Sequence, residues 1–387
     1  MNKILTARVL AGLAAAAFCP GLLRASEVVT HPFCGITVIT RMETLPRNLV
    51  MHVVQIDLKA PGLRFKLTPP GGTRDTVRQT TLEFLRQQKA QLAINAHFYL
   101  PFTTPELDAN LVGFAASEGN VYSPFEPQPI GPGWGDQSFA ILPYAPALNI
   151  DRSNHARIIH HDPAFPDHRH VLEPVTFWTA VSGSAQIVRD GVKTIPTYTG
   201  APDGLNRSVT YSDQNSWYAA LRARTVIGLT LDNQTLLIFS VDEVAGSAGM
   251  TVAEVADLLM HDYQIQNALN LDGDGSTSVA IEDPLTRIAR WLNVPSDGVT
   301  GRGVGSNLAV FAQPRQEAST RLTLTLAANN SVIASWPADS EEWELQRTST
   351  LSPQNWLRVH AQPRRVGDCM QVVVPQGNSG RFYRLVR

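Results

Sequence analysis

An acid set among small residues is the part of this chain best suited to chemistry. A short apolar run ends at Leu271, the next residues read Asp272-Gly273-Asp274-Gly275-Ser276-Thr277, and a second apolar run begins at Val279. Glycines let backbone approach a ligand closely, and successive N–H groups in such a turn can bind an anion. The loop therefore predicts a carboxylate beside an oxyanion or a sugar. The alternative is an Asp-Gly turn between two strands.

Other short motifs place polar side chains at the ends of predicted strands. Arg224-Thr225-Val226-Ile227-Gly228 opens a predicted hairpin whose second strand, Leu236 to Val241, ends at Asp242. The remaining motifs are Asn95-Ala96-His97-Phe98-Tyr99, Val181-Ser182-Gly183-Ser184 and Asn293-Val294-Pro295-Ser296-Asp297-Gly298. Each motif alone is a weak signal, so their order and spacing carry the information.

In this order and at this spacing, the motifs resemble the phosphodiester glycosidase family over residues 30 to 315. That family includes the enzyme that uncovers mannose 6-phosphate by removing N-acetylglucosamine, together with many bacterial secreted proteins. The resemblance implies an exported hydrolase that cleaves the glycosyl bond of a sugar-1-phosphodiester in a glycan or envelope polymer. The alternative is a non-catalytic protein that binds exopolysaccharide or envelope glycan on the same scaffold.

The implied reaction needs a carboxylate near the anomeric carbon and cationic or N–H groups for the phosphate. Asp272 would act on the sugar or its water, and the forked guanidinium of Arg224 would bind phosphate. Asp242 would be the partner carboxylate or would orient Arg224, and Asn95 would bind a sugar hydroxyl or orient water. The residues expected to contact substrate are His97, Ser184, Gly273, Gly275, Ser276 and Thr277. The structural alternatives are turn contacts for Asp272 and Asn95, a loop cap for Asp242 and a surface salt bridge for Arg224.

Three residues depart from the family pattern. His97 stands where the family usually has Gly, Asp274 replaces the middle Gly of Asp-Gly-Gly-Gly-Ser, and Val294 replaces an Arg before Pro-Ser-Asp. His97 would add a group that titrates near neutral pH. Asp274 would raise the pKa of one carboxyl or recruit Ca²⁺, but a solvated loop is favoured. No metal ligand and no cofactor are predicted.

Hydrophobic periodicity predicts the elements that position these motifs. Alternation in residues 30–66 indicates early strands, and Leu92 to Asn95 is a strand that delivers the Asn95 motif. Capping boxes at Thr80 and Thr251 predict helices over about 81–89 and 252–263. The predicted fold class is α+β: a mixed, largely antiparallel sheet with packed helices, plus a small C-terminal β-sandwich-like module. Residues 100–170 are predicted to form strands joined by long loops that extend over the site. The five histidines of this stretch are interpreted as part of a solvated polar loop, in preference to a metal cluster.

The N-terminus has the features of an export signal. Lys3 and Arg8 accompany a short apolar run, 9–18, and Leu23-Arg24-Ala25 is an acceptable cleavage site. We therefore expect a periplasmic, cell-surface or extracellular protein. No later stretch is long and apolar enough to cross a membrane. Cys34 and Cys369 remain in the mature chain, where a disulfide and two free thiols are both open alternatives.

Length and composition fit one large domain and a small one. The 387 residues are 43% hydrophobic and 17% charged, with a formal net charge of −2. That charge gives no indication of nucleic acid as a partner, so the expected partner is a carbohydrate or glycosyl phosphate. The predicted boundaries are a signal peptide over 1–25, a glycosidase-like domain over 30–312, a linker over 313–320 and a β-rich module over 321–387. That module could contact carbohydrate, serve surface display or give structural support.

Overall fold

The computed structural model describes residues 25–101, 105–127, 141–197, 217–315, 322–327, 331–338, 343–351, 355–367, 369–375 and 380–386. The predicted signal peptide, apart from its last residue, lies outside the described residues, as does most of the predicted linker. The chain divides into two compact units, Met1–Gln313 and Pro314–Arg387. Cys34 and Cys369 are both free thiols. No helix in the described ranges is long and apolar enough to span a membrane.

The regular secondary structure in the described part of the first unit is mainly β-strand. Its strands are, in chain order, β1 (Ala25–Phe33), β2 (Ile36–Glu43), β3 (Leu49–Asp57), β4 (Arg64–Leu67), β5 (Thr76–Val77), β6 (Leu92–Asn95), β7 (Tyr99–Leu100), β8 (Asp108–Leu111), β9 (Ala115–Ser117), β10 (Asn120–Ser123), β11 (Ala147–Ile150), β12 (Ala156–Ile159), β13 (Thr179–Ser182), β14 (Ala185–Arg189), β15 (Val192–Lys193), β16 (Arg224–Thr230), β17 (Thr235–Val241), β18 (Glu243–Val244), β19 (Ser247–Ala248), β20 (Ile265–Asn270), β21 (Val279–Glu282), β22 (Ala289–Trp291) and β23 (Asn307–Phe311).

Two antiparallel sheets form the frame of this unit. The larger has eight strands in the order β1-β2-β3-β17-β16-β20-β14-β15, and the second has five in the order β22-β21-β6-β23-β4. Side chains such as Ile238 and Leu269 of the first sheet share one core with Ile94 and Leu308 of the second. A third sheet, β10-β9-β13-β11-β12, and a three-stranded sheet, β5-β8-β7, complete the larger assemblies.

One helix covers the outer face of each framing sheet. Helix α2 (Val252–Tyr263) places Val255 and Leu259 in a core with Val226 and Phe239 of the eight-stranded sheet. Helix α1 (Thr81–Gln88) packs on the five-stranded sheet. Central strands such as β16 and β17 are covered on both faces, and six of the seven residues in each are buried.

The predicted fold class, α+β with packed helices on a mixed sheet, is wrong. The described residues are 47% strand and 8% helical, with two α-helices and several separate antiparallel sheets. Much of the difference comes from strands of only two to four residues, such as β5, β7 and β9. Segments this short are too brief to show an alternating pattern, so periodicity does not reveal them.

The second unit consists of two antiparallel sheets around its own core. Four strands are ordered β24-β25-β29-β28 and three are ordered β27-β26-β30. Trp336, Leu345, Val372 and Val374 are buried together between them, which is a β-sandwich-like arrangement. The bounds are β24 (Thr323–Ala327), β25 (Ser331–Pro337), β26 (Glu344–Thr348), β27 (Leu357–Arg358), β28 (Arg364–Val366), β29 (Cys369–Pro375) and β30 (Phe382–Val386).

Candidate functional site

The Asp272 loop follows β20 and is tied to both framing sheets. The Asp272 N–H donates to Ala96 O at 3.1 Å, just after β6, and the Asp274 N–H donates to Ala223 O at 2.8 Å, just before β16. Residues 274–276 then form one turn of 3₁₀ helix. These hydrogen bonds fix the backbone of the Asp272 loop between β6 and β16.

The carboxyl group of Asp272 is recessed in the protein. The residue is 7% exposed, and its Oδ1 accepts a hydrogen bond from the Gly273 N–H at 2.9 Å. Burial raises the pKa of Asp272 to about 7, although hydrogen bonds from Ser276 and Gly273 and the charge of Arg302 act in the opposite direction. A carboxyl group that titrates near neutrality through desolvation is typical of functional sites.

Arg302 places a positive charge near this carboxyl. Its Nε donates to Asp297 Oδ2 at 2.8 Å, and its Nη1 donates to Ser276 Oγ at 3.4 Å. Burial acts to lower the pKa of Arg302, but the Asp297 hydrogen bond and the nearby negative charges raise it above its ordinary value. A Cβ atom at position 275 would lie 2.1 Å from Arg302 Nη2, so Gly275 makes room for the guanidinium.

Tyr99 is close enough to Asp272 to respond to its charge. Its hydroxyl donates to Gly303 O at 3.2 Å, and the residue is 3% exposed. Burial raises the pKa of Tyr99 and the charge of Asp272 raises it further, while Arg302 and Arg78 lower it. The guanidinium of Arg78 lies 5.5 Å from the centroid of the Tyr99 ring. Two arginines and a phenol thus share the electrostatic environment of the loop.

An indole ring packs against the glycine that follows Asp272. A Cβ atom at position 273 would lie 2.9 Å from Ala223 O and 3.1 Å from Trp217 Cζ2, so Gly273 fits where a larger residue would not. Trp217 is partly exposed and meets Phe98 edge-to-face, with 5.7 Å between ring centroids. Trp217 is therefore a wall of the site next to the Asp272 loop.

Arg224, predicted to bind phosphate, lies wholly inside the protein. Its Nε donates to Met250 O at 2.9 Å, and its Nη2 donates to Trp217 O at 2.7 Å and Ala220 O at 2.5 Å. The guanidinium lies 4.1 Å from the centroid of the Trp217 ring. Burial lowers the pKa of Arg224 to about 9, and its Nη1 has no hydrogen-bond partner among the described residues. These contacts anchor the turn that carries Trp217.

Asp242 is buried at the end of β17 and accepts two hydrogen bonds from one loop. Asn293 Nδ2 donates to its Oδ1, and the Val294 N–H donates to its Oδ2, both at 3.2 Å. Asn293 also donates to Thr277 O at 3.3 Å and accepts from the Val279 N–H at 2.7 Å. Asp242 therefore connects the 293–298 loop, which carries the partner of Arg302, to the end of the Asp272 loop.

No hydrogen bond or ion pair joins Asp242 to Arg224 within the described ranges. The cross-strand partner of Arg224 is Val241, and Arg224 points to the face of the sheet that α2 covers, as Val226 does. The structure therefore does not bring Asp242 and Arg224 together as a carboxylate–guanidinium pair.

The side-chain amide of Asn95 is buried and occupied by protein groups. Its Nδ2 donates to Asp272 O at 2.6 Å. Its Oδ1 accepts from Thr225 Oγ1 at 2.8 Å and from the Ser278 N–H at 3.0 Å. Asn95 thus joins β6, β16 and both ends of the Asp272 loop, which makes it a positioning residue in this structure.

His97 is also fully buried. Its Nε2 lies 3.0 Å from the Ser182 N and 3.1 Å from Phe114 O, and its Nδ1 lies 2.8 Å from Ser306 Oγ. Burial lowers the pKa of His97 to about 4. The imidazole is therefore neutral at neutral pH and links three segments of the frame.

The other residues predicted to contact substrate divide into two groups. Gly273 and Ser276 donate hydrogen bonds to the Asp272 carboxyl, and Gly275 lies against the Arg302 guanidinium. Ser184 is buried, donates its N–H to Asn270 O at 2.7 Å and accepts from Asn270 Nδ2 at 2.9 Å. Thr277 is buried as well, and its Oγ1 has no hydrogen-bond partner in the described part of the chain.

Asp274 differs from Asp272 in being open to solvent. Its side chain is 46% exposed, and its Oδ2 lies 4.0 Å from Arg222 Nε. The backbone adopts φ +55°, a left-handed conformation that Asp tolerates and Gly prefers. Within the described ranges, no group of three or more His, Cys, Asp or Glu side chains is placed to hold a metal ion.

Three residues at the site were not predicted from the sequence. Tyr99 is the last residue of the motif Asn95-Ala96-His97-Phe98-Tyr99. Arg302 lies between Gly301 and Gly303, and an arginine flanked by two glycines is a sequence signal for a cation in a tight loop. Trp217 follows a turn-rich stretch with no periodic pattern, and its contact with Gly273 depends on chain segments about fifty residues apart.

The structure thus brings together a buried carboxyl on a glycine-rich loop, an arginine beside it and an antiparallel β frame. The chain belongs to the phosphodiester glycosidase family, whose sequence model matches residues 88–311. This match covers more than half of the 387 residues. Comparison with curated proteins found no match.

Three solved structures are similar to this chain at low identity. The catalytic domain of zebrafish N-acetylglucosamine-1-phosphodiester alpha-N-acetylglucosaminidase, auto-inhibited by its pro-peptide, has 16% identity and a TM-score of 0.47, over 76% of this chain and 85% of that one. A hypothetical protein from Synechocystis has 16% identity and a TM-score of 0.41, over 72% and 62%. A Burkholderia pseudomallei protein described as putatively exported has 15% identity and a TM-score of 0.45, over 71% and 77%.

Proposed function

We propose that this protein is an exported hydrolase that cleaves the glycosyl bond of a sugar-1-phosphodiester. The observation that carries the proposal is the recessed carboxyl of Asp272, whose pKa burial raises to about 7, beside the cation of Arg302. Family membership supplies the reaction type. The partner is accordingly a glycan or glycosyl phosphate, and the N-terminal 25 residues would direct export.

The ionised form of Asp272 would act at the anomeric carbon. It either attacks that carbon or takes a proton from the water that does so. In both cases the bond between the anomeric carbon and the phosphate oxygen breaks, its electron pair stays on that oxygen, and water supplies the hydroxyl of the released sugar. A phosphate monoester is a good leaving group, so the reaction does not require a strong general acid.

Arg302 is the better candidate to bind the phosphate than Arg224. Its side chain is 25% exposed at the Asp272 loop, and the contact of its Nη1 with Ser276 Oγ is long, at 3.4 Å. Asp297 holds Nε and so fixes the plane of the fork. Arg224 is fully buried and bound to carbonyl oxygens, which suits a residue that holds Trp217 against Gly273.

Asn95 and Asp242 would position the Asp272 carboxyl and the Arg302 guanidinium. Asn95 fixes the backbone of Asp272 itself, and Asp242 fixes the loop that carries Asp297. Rigid support of this kind keeps a reacting carboxylate within the narrow range of geometry that catalysis requires.

The proposal is tested by incubating the purified mature protein with an N-acetylglucosamine-1-phosphodiester and following both products by NMR. Release of free sugar and phosphate monoester in equal amounts is expected. Arg302→Met should lower kcat/KM by about 10²- to 10³-fold because a donor to the developing charge is lost. Arg287→Met, which removes an exposed arginine paired with Glu282, is the control and should leave the rate unchanged. Saturable binding without turnover would favour the glycan-binding alternative.

A further inference from the structure

The second unit contains a cleft that the proposed hydrolysis does not use. Its volume is about 270 Å³, near the low end of the roughly 300–1,000 Å³ range of small-molecule sites. The walls come from the first residues of β26, from the stretch 358–363 and from Val372 of β29. The cleft therefore lies within one unit, where the two sheets of the sandwich contribute side chains to one concavity.

The accessible lining of the cleft is mainly polar and lies over two nearly buried aliphatic side chains. Leu345 and Val372 form its floor and are 4% and 1% exposed. Trp343 is partly buried against the same core and lines the cleft. Because Leu345 and Val372 are almost fully buried, the indole of Trp343 is the side chain of these three that can offer an apolar surface to C–H groups.

The rim carries both hydrogen-bond donors and acceptors. Arg358 Nη2 lies 2.8 Å from Glu344 Oε1, and these side chains are 61% and 44% exposed. His360 and Gln362 line the same rim and are exposed. The Glu–Arg pair neutralises itself, so the rim offers fixed donors and acceptors without an excess of either charge.

We propose that this cleft binds an uncharged sugar unit of a glycan chain. A pyranose ring has an apolar C–H face, which suits Trp343, and a polar edge, which suits Gln362 and the Glu344–Arg358 pair. A phosphate or nucleotide would favour an unpaired cation, and Arg358, the arginine among the described residues of the cleft, is paired with Glu344. Because both units belong to one chain, a polymer bound here raises its local concentration at the first unit. The inference goes beyond the proposed hydrolysis and does not depend on it.

The test uses the full mature protein carrying Asp272→Asn, in native gels containing dextran, hydroxyethylcellulose or glycol chitin. At least one of these neutral glycans should retard the protein. Trp343→Ala should weaken the retardation by tenfold or more, and Gln362→Ala, which changes an exposed side chain, by several-fold. Trp356→Phe is the matched control, since Trp356 stacks with Arg384 instead and is not among the residues of the cleft.

Two results would overturn this inference. One is that none of the three neutral glycans retards the protein, whether or not the acidic glycan alginate does. The other is retardation that is the same in Gln362→Ala as in the protein with an intact cleft. In a protein that keeps Asp272, Gln362→Ala should hydrolyse a short soluble phosphodiester at the wild-type rate. That separate measurement distinguishes failure of the cleft from failure of the proposed hydrolysis.

Discussion

Asp272 combines a titratable group with an environment that disfavours its charge, and this has a consequence for stability. Its folded pKa of about 7 lies above the unfolded value of about 3.9, so the folded state binds the proton more tightly. The stability gained from that proton is complete below the unfolded pKa and is lost as the pH rises through 7. Asparagine is uncharged, like the protonated acid, so a protein with asparagine at position 272 should not lose this stability as the pH rises.

Asp272→Asn should therefore be more stable than the wild type above pH 7, by on the order of 4 kcal/mol, the free energy that corresponds to raising the pKa of Asp272 from about 3.9 to about 7. Below about pH 4 the difference should vanish. Urea unfolding of both proteins between pH 4 and 8 measures it. A difference that does not vary with pH would show that Asp272 is not desolvated in the folded protein.

The rate should depend on pH through the same group. Since the ionised form of Asp272 is the reactive one, kcat/KM for a glycosyl-1-phosphodiester should rise as the pH increases through about 7. Initial rates between pH 5 and 9 give the profile. A rate that falls above pH 7 would instead assign Asp272 the role of a proton donor.

Gly275 offers a test of the Arg302 geometry. In Gly275→Ala the new methyl group would lie 2.1 Å from the present position of Nη2, so the guanidinium must move away from the carboxyl. We expect a loss of kcat/KM of tenfold or more with little change in unfolding temperature. Gly303→Ala is the control, because its Cβ would meet nothing closer than 3.8 Å. Equal effects of the two substitutions would contradict this placement of Arg302.

At the scale of elements, local signals in the sequence were reliable. Both capping boxes predicted from Thr80 and Thr251 are confirmed, and the helices end at Lys89 and Gln264 in left-handed conformations. A capping box involves residues only three positions apart, so the sequence contains the whole interaction. The contacts of Asn95 and Asp242 join segments 177 and 51 residues apart. Sheet pairing determines those contacts, which the motifs alone do not show.

Asp242 should matter because of the loop that it holds. Asp242→Ala leaves Asn293 and the Val294 N–H without their acceptor in a buried place, which should destabilise the protein by about 1–3 kcal/mol. It should also lower kcat, because the loop that carries Asp297 is released. Asp283→Ala removes a comparable set of acceptor contacts from an exposed turn and serves as the control in denaturant unfolding and rate measurements. Wild-type kcat in Asp242→Ala would argue against this coupling.

The whole molecule joins a mostly β unit, which carries the Asp272 loop, to a smaller β unit with its own core and cleft. The family and the Asp272 loop were recognisable from motif order, because each motif occupies a strand end or turn whose residues are adjacent in sequence. The fold class was not, since the balance of strand and helix depends on many strands too short for a periodic signal. The proposal that Arg302, and not Arg224, binds phosphate likewise rests on the burial of Arg224, which the sequence does not show.

The central claim is that Asp272 acts directly on a glycosyl-1-phosphodiester. Its most direct test is the turnover of such a substrate by wild type and Asp272→Asn at pH 8, measured as release of free sugar. The wild type should turn over the substrate, and the variant should fall by at least about 10³-fold while keeping its fold and its affinity for the substrate. Turnover by Asp272→Asn at the wild-type rate would contradict the claim.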